Sequence, residues 1–417
     1  MSASHRHQNH QNALALKAFY CTSSCAESMQ GLALIFSVFS ATRSSILVGI
    51  VGATAYLPGV IASIVFRSVV DRKGTERHLS ISNFILVVGS LALLLSQAMS
   101  ASLITFVATV LLVQSSLSIV KAFNKAFVGR VIRLKFPGVE GALVLQKSTA
   151  LGIVGGLAGA GCAGLLIDVV GVAWCFALTC ALYCLSLCFA NVALSHKGSR
   201  HRFGVHDRIK RGVDRSATER KIETSAGNLS RIMVIVLMFT VPSSAFLPYI
   251  DTMIAPLADL LVDGSTASYL SVLSVSVSVG GVVAGACLSF GAVSLVSILK
   301  WSLPLASASC FAFVFVRSPF IAPILLFLCA FFGTVNVLAM QVLTNQAPTP
   351  SRVGSFTLLR NAFAGLAKAG ASLLAGVLIS VSGVTLAWSA ATCCLLLVGG
   401  CWFFGVRDDE VREVLGK

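Results

Sequence analysis

Two ionisable side chains stand alone inside long apolar stretches of the sequence. Glu27 lies near the middle of one stretch, with Ser23 and Gln30 near it on one face at helical spacing. Lys368 lies deep in another, and Asn361 precedes it by about two helical turns. A charge at such a depth is costly unless it faces a cavity or a partner, so it usually serves function. A carboxylate there can bind and release a proton, and an ammonium can bind an acidic group.

These residues form our candidate site, although each also has a structural interpretation. We assign Glu27 to proton coupling and substrate binding, with a hydrogen bond to another helix as the alternative. We expect Lys368 to pair with an acidic substrate group, or with Glu27 when the site is empty; the alternative is snorkelling toward the cytoplasm. Asn336 and Gln341 lie in a third apolar stretch. They could bond a polar ligand or hold helices together.

The sequence contains none of the common catalytic patterns. It has no P-loop, no Gly-x-Ser-x-Gly motif and no His within an apolar stretch. Its thirteen Cys lie in apolar stretches without matching His ligands. We therefore expect no enzyme activity, no metal site, no cofactor and no disulfide framework.

Membrane-spanning helices must position these residues. Of the 417 residues, 56% are hydrophobic and 11% charged, with a mean hydropathy of +0.89, which is more apolar than a soluble domain can be. Stretches of about 20 residues, long enough to span a bilayer, occur twelve times. We number them spans 1 to 12: residues 15–40, 45–66, 79–98, 101–122, 142–167, 171–194, 231–250, 267–289, 293–316, 319–344, 355–380 and 382–404.

A polar, basic interruption at residues 195–230 separates the first six spans from the last six. It predicts a cytoplasmic linker between two bundles. We expect an N-terminal tail without regular structure at 1–12 and a six-helix bundle at 13–194. A second six-helix bundle at 231–404 and a cytoplasmic tail at 405–417 follow.

The net charge of +15 indicates membrane topology. With the N-terminus inside, all Lys and Arg except Arg43 and Arg317 fall on inner loops or nearby helix ends, Lys121 among them. Both termini are then cytoplasmic. No basic patch lies on a soluble domain, so we expect no nucleic-acid partner. The same topology places four aspartates at the outer rim: Asp168, Asp251, Asp259 and Asp263.

The two halves repeat. Residues 164–172 and 376–384 match at six of nine positions with an offset of 212. Span 5 also carries small residues whose spacing lets helix backbones approach closely. We assign four of them to helix packing: Gly152, Gly156, Gly159 and Gly164.

The loop between spans 2 and 3 carries a recognisable motif. Asp71, Arg72 and Gly74, with Arg77 nearby, match the Asp-Arg-x-Gly core that joins helices 2 and 3 in the major facilitator superfamily. The chain resembles that superfamily over nearly its whole length. The resemblance implies that these four residues form a gating loop, in which Asp71 caps a helix N-terminus and pairs with basic residues.

The second half is similar to the branch that contains the enterobactin exporter. The similarity rests on residues 246–249, 345–348 and 351–354. Two positions depart from the superfamily patterns: Arg67 stands near the usual glycine of the loop motif, and Ala160 replaces a proline that exporters often carry.

The resemblance implies an all-α polytopic membrane protein with 12 transmembrane helices in two pseudo-symmetric six-helix bundles and a site between them. We expect a secondary active transporter in a bacterial inner membrane, working as a monomer by alternating access. Its expected partners are lipid, protons and a small-molecule substrate, with proton-coupled export of a siderophore or similar polar acidic metabolite as the leading function. A multidrug/proton antiporter or a siderophore or nutrient importer is the alternative. From a different class, a non-transporting membrane sensor or assembly partner also remains.

Overall fold

The computed structural model describes residues 3–65, 75–99, 102–136, 139–194, 231–262, 267–289, 295–316, 318–346 and 353–405. Within these ranges the regular structure is α-helical. The helices are α1 (Ala3–Thr42), α2 (Ser45–Thr54), α3 (Leu57–Val65), α4 (Thr75–Ala98), α5 (Leu103–Lys135), α6 (Val139–Val170), α7 (Val172–Leu194), α8 (Arg231–Leu261), α9 (Ala267–Ser289), α10 (Leu295–Ala312), α11 (Ile321–Gln346) and α12 (Val353–Gly405).

Each predicted span corresponds to helical structure, with two changes. Span 2 consists of α2 and α3, separated by a turn at Ala55 and Tyr56. The break follows from Pro58, which lacks the N–H that would bond to the Thr54 carbonyl. Spans 11 and 12 are joined in α12, which breaks at Gly383 with φ of 80°. Glycine adopts this backbone conformation without a steric cost.

The helices are long and apolar enough for a membrane protein. Nine stretches of the described residues could cross a bilayer by length and composition. One of them, Leu359–Phe403, has 45 residues, which is enough for two passes at about 1.5 Å per residue. Large apolar side chains face outward, for example Ile104 and Phe320, which are 83% and 84% exposed. The predicted all-α multi-pass fold is therefore confirmed.

The start of the chain differs from the expectation. Helix α1 begins at Ala3, so residues 3–12 extend span 1 and are not a tail without regular structure. No Gly or Pro interrupts the sequence before Gly31, and Asn12 is already buried.

Several predicted features lie outside the described residues. These are Asp71, Arg72 and Gly74 of the gating loop, Asp263, Arg317, the linker at 195–230 and the tail beyond residue 405. Arg77 lies in the first turn of α4.

The helices pack as two groups in chain order. In the N half, α1 packs along α6 and α7, and α4 packs on α5 and α7. In the C half, α8 packs along α12, and α9 packs on α11. The most extensive contacts between the halves are two crossings, α2 with α12 and α6 with α9.

Small residues allow both crossings to be close. A Cβ atom on Gly49 of α2 would lie 2.6 Å from the Ser372 carbonyl oxygen and 3.2 Å from the Gly376 Cα atom of α12. At the other crossing, the Gly164 N–H of α6 donates a 2.8 Å hydrogen bond to Ser271 Oγ of α9.

Polar contacts also join the halves at one end of the bundle, which we call the Arg43 end. Arg43 Nη1 lies 2.5 Å from Asp259 Oδ1. Asp168 accepts hydrogen bonds from the N–H groups of Ala267 and Ser268, at 2.8 and 2.7 Å. A carboxylate at a helix N-terminus interacts favourably with the helix dipole. This end is therefore held together by an ion pair and a helix cap. The opposite end, where α7 ends and α8 begins, is the linker end.

Candidate functional site

A central cavity of about 260 Å³ lies between the two halves. Its wall comes from α1, α2, α5 and α6 of the N half and from α8, α9 and α12 of the C half. The polar side chains in this wall are Ser28, Tyr56, Gln114, Lys121, Asp251, Thr252, Ser274, Ser278 and Ser372.

One ion pair lies on the N-half side of the cavity. Lys121 Nζ of α5 is 2.5 Å from Glu27 Oε1 of α1, and Lys121 lines the cavity. The two side chains are 33% and 40% exposed, so the pair is in contact with open space. Pairing with an ammonium group reduces the free-energy cost of a charged carboxylate inside the membrane.

The partner of Glu27 is therefore Lys121, which corrects the expectation that Lys368 would hold it in the empty site. The sequence pattern did not reveal Lys121, because the apolar stretch of span 4 ends near residue 122. In the sequence, Lys121 therefore resembles a cation of an inner loop. Helix α5 continues to Lys135, so Lys121 projects from a helix wall.

Lys368 lies in a second cluster that includes groups from both halves. Its Nζ is 5.4 Å from the centre of the Tyr56 ring, within the range of cation–π contacts. Lys368 also interacts electrostatically with Asp251 of α8, which lines the cavity. Lys368 and Asp251 belong to the C half, whereas Tyr56 belongs to the N half. The cluster therefore spans the boundary between the halves.

Asp251 was predicted at the outer rim, and the structure places it beside the central cavity. It precedes Leu261, the last residue of α8, by about ten residues, or about 15 Å along a helix. The continuous apolar pattern of span 7 ends at residue 250, because polar and proline residues follow. The helix instead accommodates Pro242, Pro248 and Pro256.

Pro256 leaves the carbonyl of one cavity-lining residue without its helical N–H donor. Pro256 lacks the N–H that would bond to the Thr252 carbonyl, and Thr252 lines the cavity. The Thr252 hydroxyl donates to the Pro248 carbonyl at 3.0 Å.

The charged groups share one electrostatic environment. Asp251, Tyr56 and Lys121, the partner of Glu27, all line the cavity, and Lys368 is close to Tyr56. Two carboxylates and two ammonium groups give this set a net charge of zero when all four are ionised.

Gln30, predicted to bind substrate, points away from the central cavity. It is 1% exposed and lines a small pocket inside the N half with Gly89 and Val113. Two residues on a helix differ by about 200° in direction, so Gln30 and the cavity-lining Ser28 face opposite sides of α1. We therefore remove Gln30 from the candidate site.

Asn336 is used inside the C half. Its Oδ1 accepts a hydrogen bond from Ser243 Oγ at 2.5 Å, and its Nδ2 donates to Ser302 Oγ at 3.0 Å. These bonds connect α8, α10 and α11. Asn336 thus occupies the helix-joining role, the second of the two weighed for it, and we remove it from the candidate site.

Three other predicted site residues are less close to the cavity. Ser23 is half-buried on α1, and Asn361 is exposed on α12; neither belongs to the described wall of the cavity. Gln341 lies in α11, but its side chain is outside the described part of the structure.

The glycines assigned to helix packing all lie in α6: Gly152, Gly156, Gly159 and Gly164. A Cβ atom on Gly152 would lie 3.1 Å from Ser24 Oγ of α1, and one on Gly156 would lie 3.1 Å from Ser28 Oγ. Gly159 approaches the α1 backbone, and Gly164 approaches α9. The stripe therefore serves α1 within the N half and α9 across the boundary.

Solved structures that are similar to this chain include transporters. The xylose transporter XylE from E. coli, in an inward-open conformation, matches 98% of this chain and 98% of its own at 15% identity, with a TM-score of 0.71. The nucleoside transporter NupG matches 95% of this chain and 100% of its own at 13% identity, with a TM-score of 0.69. The chain has the major facilitator fold. A peptide transporter, POT, in complex with alafosfalin covers 96% of this chain and 95% of its own at 15% identity, with a TM-score of 0.68.

No family model and no curated protein matches the sequence. The similarity to the enterobactin-exporter branch stays a prediction.

Proposed function

We propose that this protein is a secondary active transporter that moves a small polar acidic metabolite by alternating access. The observation that carries the proposal is the cavity between the two halves, with Lys121 in its wall and Lys368 beside it. Rocking of two such bundles exposes a central site to each side of the membrane in turn. The structural neighbours, named as transporters of xylose, nucleosides and peptides, support transport without indicating this chain's substrate.

The cavity supports an acidic ligand of modest size. Lys121 and Lys368 can each receive an acidic group, whereas a purely cationic drug would have to compete with them for the carboxylates. The volume of about 260 Å³ lies below the roughly 300–1,000 Å³ of pockets that hold drug-sized ligands. We therefore propose a metabolite smaller than a siderophore. Siderophore export is the second candidate, supported by the branch resemblance alone.

Proton coupling is part of the proposal. Glu27 keeps its assigned role, because it is partly exposed and has an ammonium partner that can be exchanged. The gating function of Asp71, Arg72, Gly74 and Arg77 stays a prediction from the motif.

The charge bias supports an orientation with both termini in the cytoplasm of a bacterial cell, and we propose a monomer in the inner membrane. The Arg43 end is then the outer end. Its ion pair, helix cap and glycine crossings support an inward-facing state for this structure.

The test is a binding screen followed by counterflow in proteoliposomes. Metabolites sorted by charge and size are added to the purified protein, and its melting temperature is measured. We expect small acidic metabolites to raise the melting temperature and to exchange across the membrane, and Lys121→Met to weaken both effects. Stabilisation by cations alone, or binding without exchange, would contradict the proposed function. Stabilisation by siderophores but not by smaller acids would favour the second candidate.

A further inference from the structure

The central cavity has two chemically different parts. Five of its wall residues lie nearest the Arg43 end, on four helices. Val48 and Leu270 are each about 5 Å from the first residue of their helices, α2 and α9. Val51, Ile35 and Ile254 lie about 10 Å from the ends of α2, α1 and α8 on the same side. All five side chains are apolar, and we call this part of the cavity the apolar end.

The charged groups lie further from the Arg43 end. Ser274 of α9 marks the border between the two parts of the cavity wall. Asp251 lies about 15 Å from the end of α8, and Lys121 lies about 27 Å from the start of α5. Lys368 precedes the break in α12 by about 22 Å. Both ammonium groups are therefore on the linker side of the apolar end.

Several hydroxyl groups of the cavity wall are already used as donors. The hydroxyls of Thr252 and Ser372 donate to the Pro248 carbonyl, at 3.0 and 3.4 Å. The hydroxyl of Ser278 donates to the Ser274 carbonyl at 3.0 Å. A hydroxyl has one proton, so in this arrangement these groups can only accept, and an ionised carboxylate can only accept as well. A ligand carboxylate is therefore better served by a lysine than by these hydroxyls.

The two parts of the cavity determine how an acidic ligand lies. Its carboxylate binds to Lys121 or Lys368, and the rest of the molecule extends toward the apolar end. Hydroxyl or amide groups of a ligand would lose hydrogen bonds to water against this hydrocarbon wall without gaining new ones, which is unfavourable. Methylene and methyl groups gain free energy from burial there.

We propose that the transported acid is amphiphilic: a short aliphatic carboxylic acid whose hydrocarbon chain fills the apolar end. The inference rests on the proposed transport function and names its substrate class. Val48, Val51 and Leu270 are then specificity-determining residues, because their side chains set the polarity and the length of the chain that fits. Sugar acids, which carry hydroxyls along the whole chain, are poor ligands.

The first experiment measures binding to the purified full-length protein by titration calorimetry. The probes are butyrate, pentanoate, hexanoate and gluconate, which has the carbon chain of hexanoate with a hydroxyl on each tail carbon. We expect the dissociation constant to fall about fourfold for each added methylene, with a heat capacity change that becomes more negative. Gluconate should bind more weakly than hexanoate. Equal affinity along the series, or tighter binding of gluconate than of hexanoate, would overturn the inference.

The second experiment locates the hydrocarbon chain. Val51→Thr keeps the shape of a side chain of the apolar end and adds a hydroxyl, so we expect hexanoate to bind about fivefold more weakly and butyrate to change less. Val110→Thr, at a similarly buried valine of α5 outside the described cavity wall, is the matched control and should leave both affinities unchanged. Equal losses in the two variants, or for the two acids, would refute the assigned location. If Val51→Thr does not fold, Leu270→Ala decides, because a longer apolar end should shift the tightest binding to a longer acid.

Hexanamide, which has a hydrocarbon chain but no charge, tests the contribution of the carboxylate. We expect it to bind more weakly than hexanoate, and equal binding of the two would contradict the assigned orientation. A failure of the proposed function gives a different result, since no acid of the screen would then bind or exchange. Acids that bind and exchange without dependence on chain length would leave the transport proposal intact and overturn the substrate class alone.

Discussion

Glu27 and Lys121 form an ion pair beside the cavity, and the cost of removing one partner differs from the cost of removing both. Removing one partner leaves the other charge uncompensated, whereas removing both leaves a neutral site. This asymmetry gives a residue-scale test of the Glu27–Lys121 contact that is independent of the substrate.

We expect Lys121→Met to lower the stability of the protein by about 1–2 kcal/mol, less than for a fully buried pair because both side chains are partly exposed. Lys121→Met/Glu27→Gln should recover most of that loss. The measurement is the melting temperature in detergent, with Lys121→Arg as the control that keeps the charge. A double variant no more stable than the single one would show that the two charges are not paired.

Two buried amides, Gln30 and Asn336, differ in their hydrogen bonding, so their substitution should affect stability differently. The Oε1 atom of Gln30 lacks a hydrogen-bond partner among the described residues, whereas the Asn336 amide bonds to Ser243 and Ser302. We therefore expect Gln30→Met to leave the stability of the protein unchanged or to raise it by up to about 1 kcal/mol.

Asn336→Leu should lower the stability of the protein by about 1–3 kcal/mol, because it leaves two buried hydroxyls with one hydrogen bond fewer each. Melting temperatures check both, and loss of transport in stable Gln30→Met would return Gln30 to the site.

At the scale of helices, the crossings between the halves depend on the absence of side chains. A Cβ atom on Gly49 of α2 would meet the Ser372 carbonyl of α12 at 2.6 Å, whereas one on Gly370 of α12 would meet nothing within 4 Å. We expect Gly49→Ala to destabilise this closed crossing by about 1–3 kcal/mol and Gly370→Ala to have no effect on it. Crosslinking between α2 and α12 measures the closed population. Equal crosslinking in the two variants would contradict a role for the close approach.

The helices also show which features of the fold and of the candidate site can be predicted from the sequence. Hydropathy is a local property, so the helices were predicted well, including the position of Glu27 in the first one. Lys121 and Asp251 were misplaced because both helices continue beyond their apolar stretches, and the polar continuation resembles a loop. Gln30 was misplaced for a different reason: spacing shows which residues share a face, but only packing shows which neighbour that face meets.

At the scale of the whole molecule, the Arg43 end holds the two halves together through a few weak contacts. The Arg43–Asp259 pair is exposed, with Arg43 at 61%, and is worth at most about 1 kcal/mol. The Asp168 cap on α9 is worth about 1 kcal/mol. Together they stabilise this closed end by an amount that can change a conformational population without unfolding the protein.

We expect the double variant Arg43→Ala/Asp168→Ala to shift the equilibrium toward a state open at this end by roughly tenfold, since about 1.4 kcal/mol corresponds to a factor of ten. Spin labels at Val170 and Leu260, both exposed near this end, would report the distance between the halves. They should be introduced as non-natural amino acids, because the chain has thirteen cysteines. The distance distribution should gain a longer component in the double variant, and Asp168→Glu, which keeps the capping carboxylate, should gain less. An unchanged distribution would mean that the glycine crossings alone keep this end closed, and the ion pair and the cap would then have no role in gating.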